Sequence, residues 1–250
     1  MIMNDFRDCE VLLGRSRPCG KPTLRQAWVW LAMAITLPAN AGILISETIP
    51  VGTAIPDDSS SGVQSTHTVT AVPASITGLT VTLSIDPVAG QSAFLGDLYA
   101  YLRHGDAIAV LLNRPGRRLG ETAGYDDDQS LSVTFSDVGT DIHSYRTVDT
   151  APLVGALNGV YAPDGRLTDP DSVLVTDARS NGLSVFAGAD PSGDWVLFIS
   201  DLSGGGAHEF VSWGMEMTAT EVPEPQVWVL AAGLCGWVGW RRIRGRKSAR

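Results

Sequence analysis

Carboxylates form the densest cluster of chemistry-bearing residues in this chain. The segment YDDDQ sets Asp126, Asp127 and Asp128 side by side, and Asp97, Asp194 and Asp201 fall at strand ends or turns. Loop aspartates and nearby carbonyls are the ligands that Ca²⁺ takes, in sets of about six to eight oxygens. Asp97, Asp126, Asp127 and Asp128 are therefore the candidate Ca²⁺ ligands, although the EF-hand spacing D-x-[DN]-x-[DN]-G is absent. Aspartates in β-turns also serve the backbone, and the two uses compete at these positions. No other cofactor is expected.

The remaining reactive types do not assemble. His67, His104, His143 and His208 show no H-x-H or H-x-x-x-H pair that could grip a metal, and each is expected at the surface or at a strand end. Neither a G-x-S-x-G nucleophile turn nor a G-x-x-x-x-G-K-[ST] phosphate loop occurs. Cys9, Cys19 and Cys235 all lie outside residues 42–221, so that region has no thiolate nucleophile or ligand and no disulfide. No catalytic residue is assigned, and a non-enzyme is expected.

Charge is unevenly spread. The chain carries a net −9, yet residues 42–221 hold 7 basic and 23 acidic residues. Phosphate affinity needs clustered Lys and Arg, which argues against nucleic acid as a partner. The basic residues concentrate at the two ends. Arg15, Arg17, Lys21 and Arg25 precede the apolar run Ala27–Leu37, and Ala39-Asn40-Ala41 follows with small residues at the two positions a signal peptidase reads. Basic, apolar and A-x-A segments in that order mark a secretory signal. The run is too short for a stable membrane span.

Between these ends the pattern is β. Residues 42–65 include IPDDSSSG and read as a linker. Beyond them, apolar residues alternate with polar ones: Leu79, Val81, Leu83 and Ile85; Leu98, Ala100 and Leu102; Leu131, Val133 and Phe135; Trp195, Leu197 and Ile199; Val211, Trp213, Met215 and Met217. A period of two is that of a half-buried strand. HGD at His104 reads as a hairpin turn, and residues 137–180 read as a long connection with one or two short strands. Short strands punctuated by Gly, Pro, Asp and Ser predict an all-β, antiparallel, jelly-roll-like sandwich.

Two family resemblances follow from particular residues. Ile76, Leu79, Val81, Leu83 and Ile85, then Gly96-Asp97-Leu98, and later Leu183, Phe186, Gly188, Pro191, Gly193, Trp195, Leu197, Ile199, Asp201, Ser212 and Trp213 resemble the P (P/Homo B) domain of kexin-like proprotein convertases. That resemblance implies a β-sandwich with Trp195 and Trp213 in its core, and a domain that works beside a subtilisin-like protease. At the other end, Val222-Pro223-Glu224-Pro225, the apolar run Val227–Trp240 and the basic residues from Arg241, Arg242 and Arg244 onward resemble the PEP-CTERM sorting signal of exported Gram-negative proteins. It implies exosortase as a partner, beside signal peptidase, and cleavage at Pro-Glu-Pro. The prolines keep that motif out of helix. A helix from Pro225 to Trp240 spans only about 24 Å, below a hydrocarbon core of about 30 Å, but the basic tail suits the cytoplasmic side of a membrane.

The expected organisation is a signal peptide with a long leader at 1–41, a linker at 42–65, a P-domain-like sandwich at 66–220 and a sorting segment at 221–250. The sorting segment divides into the motif 222–225, a membrane helix 226–240 and a basic tail 241–250. Three functions compete: a non-catalytic surface or matrix module binding polysaccharide or a secreted protein, an accessory domain for a secreted subtilisin-like protease, and an Asp-dependent hydrolase. The inner membrane is a transient station in the first two. N-terminal sequencing of the exported protein is expected to begin at Gly42, and a start before Arg25 would refute the signal peptide.

Overall fold

Alternating side chains are realised here as nine strands with no α-helix among the described residues. The computed structural model describes residues 42–70, 74–146 and 151–221; the chain divides into two units, 1–39 and 40–250, and every described residue belongs to the second. The expected signal segment, the Pro-Glu-Pro motif, the expected 226–240 helix and the basic tail lie outside the described residues. Among those described, no helix is long and apolar enough to cross a membrane.

The strands are β1 (Gly42–Ile55), β2 (Ser59–Val69), β3 (Ala74–Pro87), β4 (Leu98–His104), β5 (Ala107–Asn113), β6 (Leu131–Asp141), β7 (Leu157–Ala162), β8 (Gly193–Asp201) and β9 (His208–Glu221). One sheet has the order β1–β9–β3–β6–β7 and the other β2–β8–β4–β5. Leaving β7 aside, this is the interleaving of a jelly roll. Every pairing is antiparallel except β6 with β7, which run parallel. The expected sandwich is thus present, with one parallel pair that alternation could not disclose.

The linker expectation for residues 42–65 is overturned. These residues form all of β1 and most of β2, and only Pro56–Asp58 is a turn. β1 pairs along β9 and β2 along β8, so both are edge strands. Edge strands keep much of their surface in solvent and carry polar residues, Pro and Gly, which is why β1 with Pro50 and Gly52 has no clean alternation. The turn at Gly105–Asp106 is as expected, with Gly105 at φ 56° supplying the left-handed geometry.

The core is the predicted set of inward residues, except that Leu79 is only partly buried and one position on β9 is shifted. Val81, Leu83, Ile85, Leu98, Ala100, Leu102, Phe135, Leu197, Ile199, Met215 and Met217 are all buried. Val211 is not, because the register of β3 with β9 slips between Ser84 and Ile85, and Phe210 faces inward in its place. Trp195 and Trp213 are 0% and 1% exposed. Each buried indole finds an acceptor: Trp195 donates to the Pro191 carbonyl at 2.9 Å, and Trp213 donates across the sandwich to Ser65 Oγ at 2.9 Å. The imidazole of His104 stacks on Trp195 at 4.2 Å, and Phe186 packs at 5.0 Å.

The two ends of the sandwich differ. Gly42 pairs with Thr220 and Ala74 with Glu221 at one pole, while His208 pairs with Ile55 and Pro87 at the other. β1 therefore enters, and β9 leaves, at the same pole. Truncating Trp195 to Ala is expected to cost about 3–5 kcal/mol of stability, read as a lower urea midpoint; a loss below about 1 kcal/mol would show that the ring is not a core element.

Candidate functional site

The pole where β8 hands over to β9 is built by three loops. They are residues 88–97 before β4, 114–130 after β5, and 202–207. Tyr125 is their junction. Its N–H donates to the Pro115 carbonyl at 2.8 Å, its carbonyl accepts from Gly96 N–H at 2.9 Å, and its hydroxyl donates to the Arg146 carbonyl at 2.6 Å. Gly116, at φ 86°, lies so close that an added Cβ would meet the ring at 2.4 Å. Only glycine fits there.

Three clefts meet around Tyr125. One of about 220 Å³ runs between Phe94, Asp97, Gly124, Asp126, Ser203 and Gly204. A second, of about 280 Å³, is bounded by Gly116, Arg118, His143, Arg146 and Val175. The third, about 330 Å³, joins them through Arg118, Glu121, Asp126, Arg146 and Pro152. The first cleft carries carboxylates and the other two carry guanidinium groups.

At the acidic end, Asp97 is 5% exposed, and its one ionic partner among the described residues is Arg114 at 3.5 Å. Burial, with the neighbouring Asp201 second, pushes its carboxyl up to about 6, against the opposing pull of Arg114 and His208. Arg114 is buried at φ 48°, an uncommon conformation for a non-glycine residue, and also reaches Asp171 at 3.4 Å. At the basic end, Arg146 holds Asp126 and Asp127, each at 2.7 Å, and its guanidinium sits 4.4 Å above the Tyr125 ring. Tyr145 also donates to Asp127, and burial together with that bond pushes its hydroxyl well above the ordinary tyrosine range.

The four candidate Ca²⁺ ligands are not brought to one point. Asp127 accepts from Tyr145, Arg146 and the Leu153 N–H. Asp128 accepts from the Ala93 N–H at 2.7 Å, Asp126 pairs with Arg146, and Asp97 pairs with Arg114. Among the described residues no group of three or more His, Cys, Asp or Glu is arranged to hold a metal. The aspartates serve here as acceptors for arginine and backbone.

Two histidines are not at the surface, although His208 opens β9 and so takes the strand-end position expected of it. His143 is fully buried between Asp164 Oδ2 at 2.7 Å and the Arg117 carbonyl at 2.9 Å. His208 is 1% exposed and meets Asp201 Oδ2 at 2.8 Å. Both are Asp–His pairs, separated by 21 and 7 residues, a spacing that no short motif records. In His143 both ring nitrogens are engaged, so neither is left to take a proton from a nucleophile. Nε2 of His208 has no protein partner among the described residues and lies inside the fold.

No protein-family model matches this chain, and no curated protein matches it. Among solved structures it is similar to a chain in the crystal structure of the complex of Aeromonas sobria serine protease (ASP) and the chaperone (ORF2), at 16% identity and a TM-score of 0.41. The match covers 74% of this chain and 28% of that one, so this chain spans little more than a quarter of that neighbour's length.

Asp97 yields a pH test with a defined sign. Its folded value of about 6 stands above the ordinary 3.8, so its ionisation weakens the fold. The protonated form's advantage is complete below about pH 4 and is lost as pH rises through about 6. Asp97→Asn mimics the neutral acid. Its stability relative to the parent is expected to rise by about 2 kcal/mol between pH 4 and pH 7, measured by urea unfolding; a constant difference across that range would show that the carboxyl is not destabilised.

Proposed function

We propose that the chain is an exported, non-catalytic binding module, a P/Homo B-like sandwich displayed at the cell surface or in the extracellular matrix. In this reading a signal peptide ending at Ala41 starts export. The Pro-Glu-Pro segment and its apolar, basic-tailed helix then hold the chain in the inner membrane until exosortase cuts it. The observation that carries the reading is polar asymmetry. Gly42 and Glu221 leave the sandwich together, and the clefts around Tyr125 lie by the opposite ends of β8 and β9. β9 has 14 residues, which separates the two poles by roughly 40 Å. A tether on Glu221 would point the clefts away from the membrane.

The non-enzymatic reading is supported by how the reactive side chains are spent. Asp126, Asp127 and Asp128 answer arginine and backbone donors, and the nitrogens of His143 are both engaged. An Asp-dependent hydrolase has no such support. A second reading, an accessory domain acting in trans with a secreted subtilisin-like protease, is favoured by Leu183, Phe186, Trp195 and Trp213, which match the P-domain pattern and are all buried.

Expression in a Gram-negative host that carries an exosortase tests the route. The surface or culture fraction is expected to hold a form lacking Trp237, and Pro223→Ala with Pro225→Ala is expected to trap the uncut chain in the inner membrane. Trp237 in the mature surface protein would overturn the sorting reading.

A further inference from the structure

The seven basic residues between positions 42 and 221 are all arginine. Five of them answer carboxylates: Arg114, Arg117, Arg146, Arg166 and Arg179. Arg103 stands in solvent on β4. Arg118 fits neither group. It is half-buried, lines two of the clefts beside Tyr125, and has no carboxylate in ion-pairing distance among the described residues.

Its position is nevertheless fixed. The backbone of Arg118 exchanges two hydrogen bonds with Glu121, at 3.0 and 2.9 Å, closing a tight turn. One guanidinium nitrogen donates to the Gly116 carbonyl at 3.0 Å. Among the described residues its remaining donors meet no acceptor, whereas the other sheltered arginines are paired. A partly desolvated guanidinium held this way is arranged for a bidentate anion.

The surroundings select the carrier of that anion. Leu119, next in the chain, is 91% exposed at the tip of the turn, and Val175 in the same cleft is 42% exposed. Exposed aliphatic side chains beside a cation suit an acidic residue with apolar neighbours. A sugar ring would want an open aromatic face, but Tyr125 is packed by Gly116, Arg146 and Tyr145 and is 5% exposed. The acidic surface of residues 42–221 also repels a densely charged polyanion.

We propose that Arg118 receives a single carboxylate from an extended protein segment, whose apolar side chains beside the acid rest on Leu119 and Val175. The inference rests on the reading of this domain as a binding module. Sorting and binding are measured separately, so either can fail while the other stands.

The test uses the full-length chain in mild detergent and a fluorescein-labelled peptide, Val-Val-Glu-Val-Val, against its Val-Val-Gln-Val-Val counterpart. The Glu peptide is expected to bind in a salt-sensitive manner, with the Gln peptide about tenfold weaker or worse. Arg118→Gln should weaken the Glu peptide about tenfold and erase the Glu/Gln difference. Arg103→Gln, the same charge change in solvent, should leave it unchanged. Leu119→Ser, at a site too exposed to disturb folding, should weaken both peptides severalfold. Equal binding by Arg118→Gln and the parent would overturn the proposal, as would no peptide binding at about millimolar concentration, or tighter binding of a glucuronate oligosaccharide.

Discussion

A two-sheet sandwich is open along two sides, and the buried pair of His143 and Asp164 is what closes the second one here. The first side is covered by β1 and β2, which form the edge of each sheet. On the other side β7 and β5 are the edges, and the chain crosses between them at Asp164 and Gly165, whose N–H groups bond to the carbonyls of Leu111 and Val110. Polar side chains fill that seam. Asp164 holds His143 at 2.7 Å and Arg166 at 3.2 Å, and Arg166 reaches Asp141 at 2.8 Å. A buried charge is tolerated only while each member keeps its partners. Removing one member would cost about 3–5 kcal/mol, because the others would be left desolvated and unpaired.

That seam also sets the geometry of the clefts. The carbonyl of His143 accepts from Gly116 N–H at 2.8 Å, and its Nε2 meets the Arg117 carbonyl at 2.9 Å. The segment 116–118 is thus anchored on a histidine that is itself anchored on Asp164. Tyr125 rests on Gly116, Arg146 rests on Tyr125, and Asp126 and Asp127 rest on Arg146. Rigid placement of a cleft-lining loop by a buried polar network is a second use of charge, beyond closing an edge.

The sequence and the structure agree where the physics is local. Period-two alternation in β3, β4, β6 and β8 is visible because each of these strands has one face in the core and one outside it. β1 and β2 as far as Ser65 escape the same reading because an edge strand has little buried face to alternate. Val211 escapes because a bulge shifts a register that alternation assumes to be constant. The acidic cluster was legible as residues but not as chemistry, since its partners come from Ala93, Tyr145, Arg146 and Leu153, and the two Asp–His pairs join strands and loops by contact alone. Arg118 carries no signal of its own. It stands out only once the surroundings of the other six arginines are known.

The strand order has a kinetic consequence. β9, the last strand, lies between β1 and β3, and β8 lies between β2 and β4. Neither sheet can be completed from the first seven strands, since each lacks a central member until residues 193–221 are available. Pairing across such sequence separations makes folding slow and places the decisive step at the end of the chain. A polypeptide threaded through a narrow pore from its N-terminus would therefore stay unfolded through most of its passage, and would close its core only after its last strand had emerged.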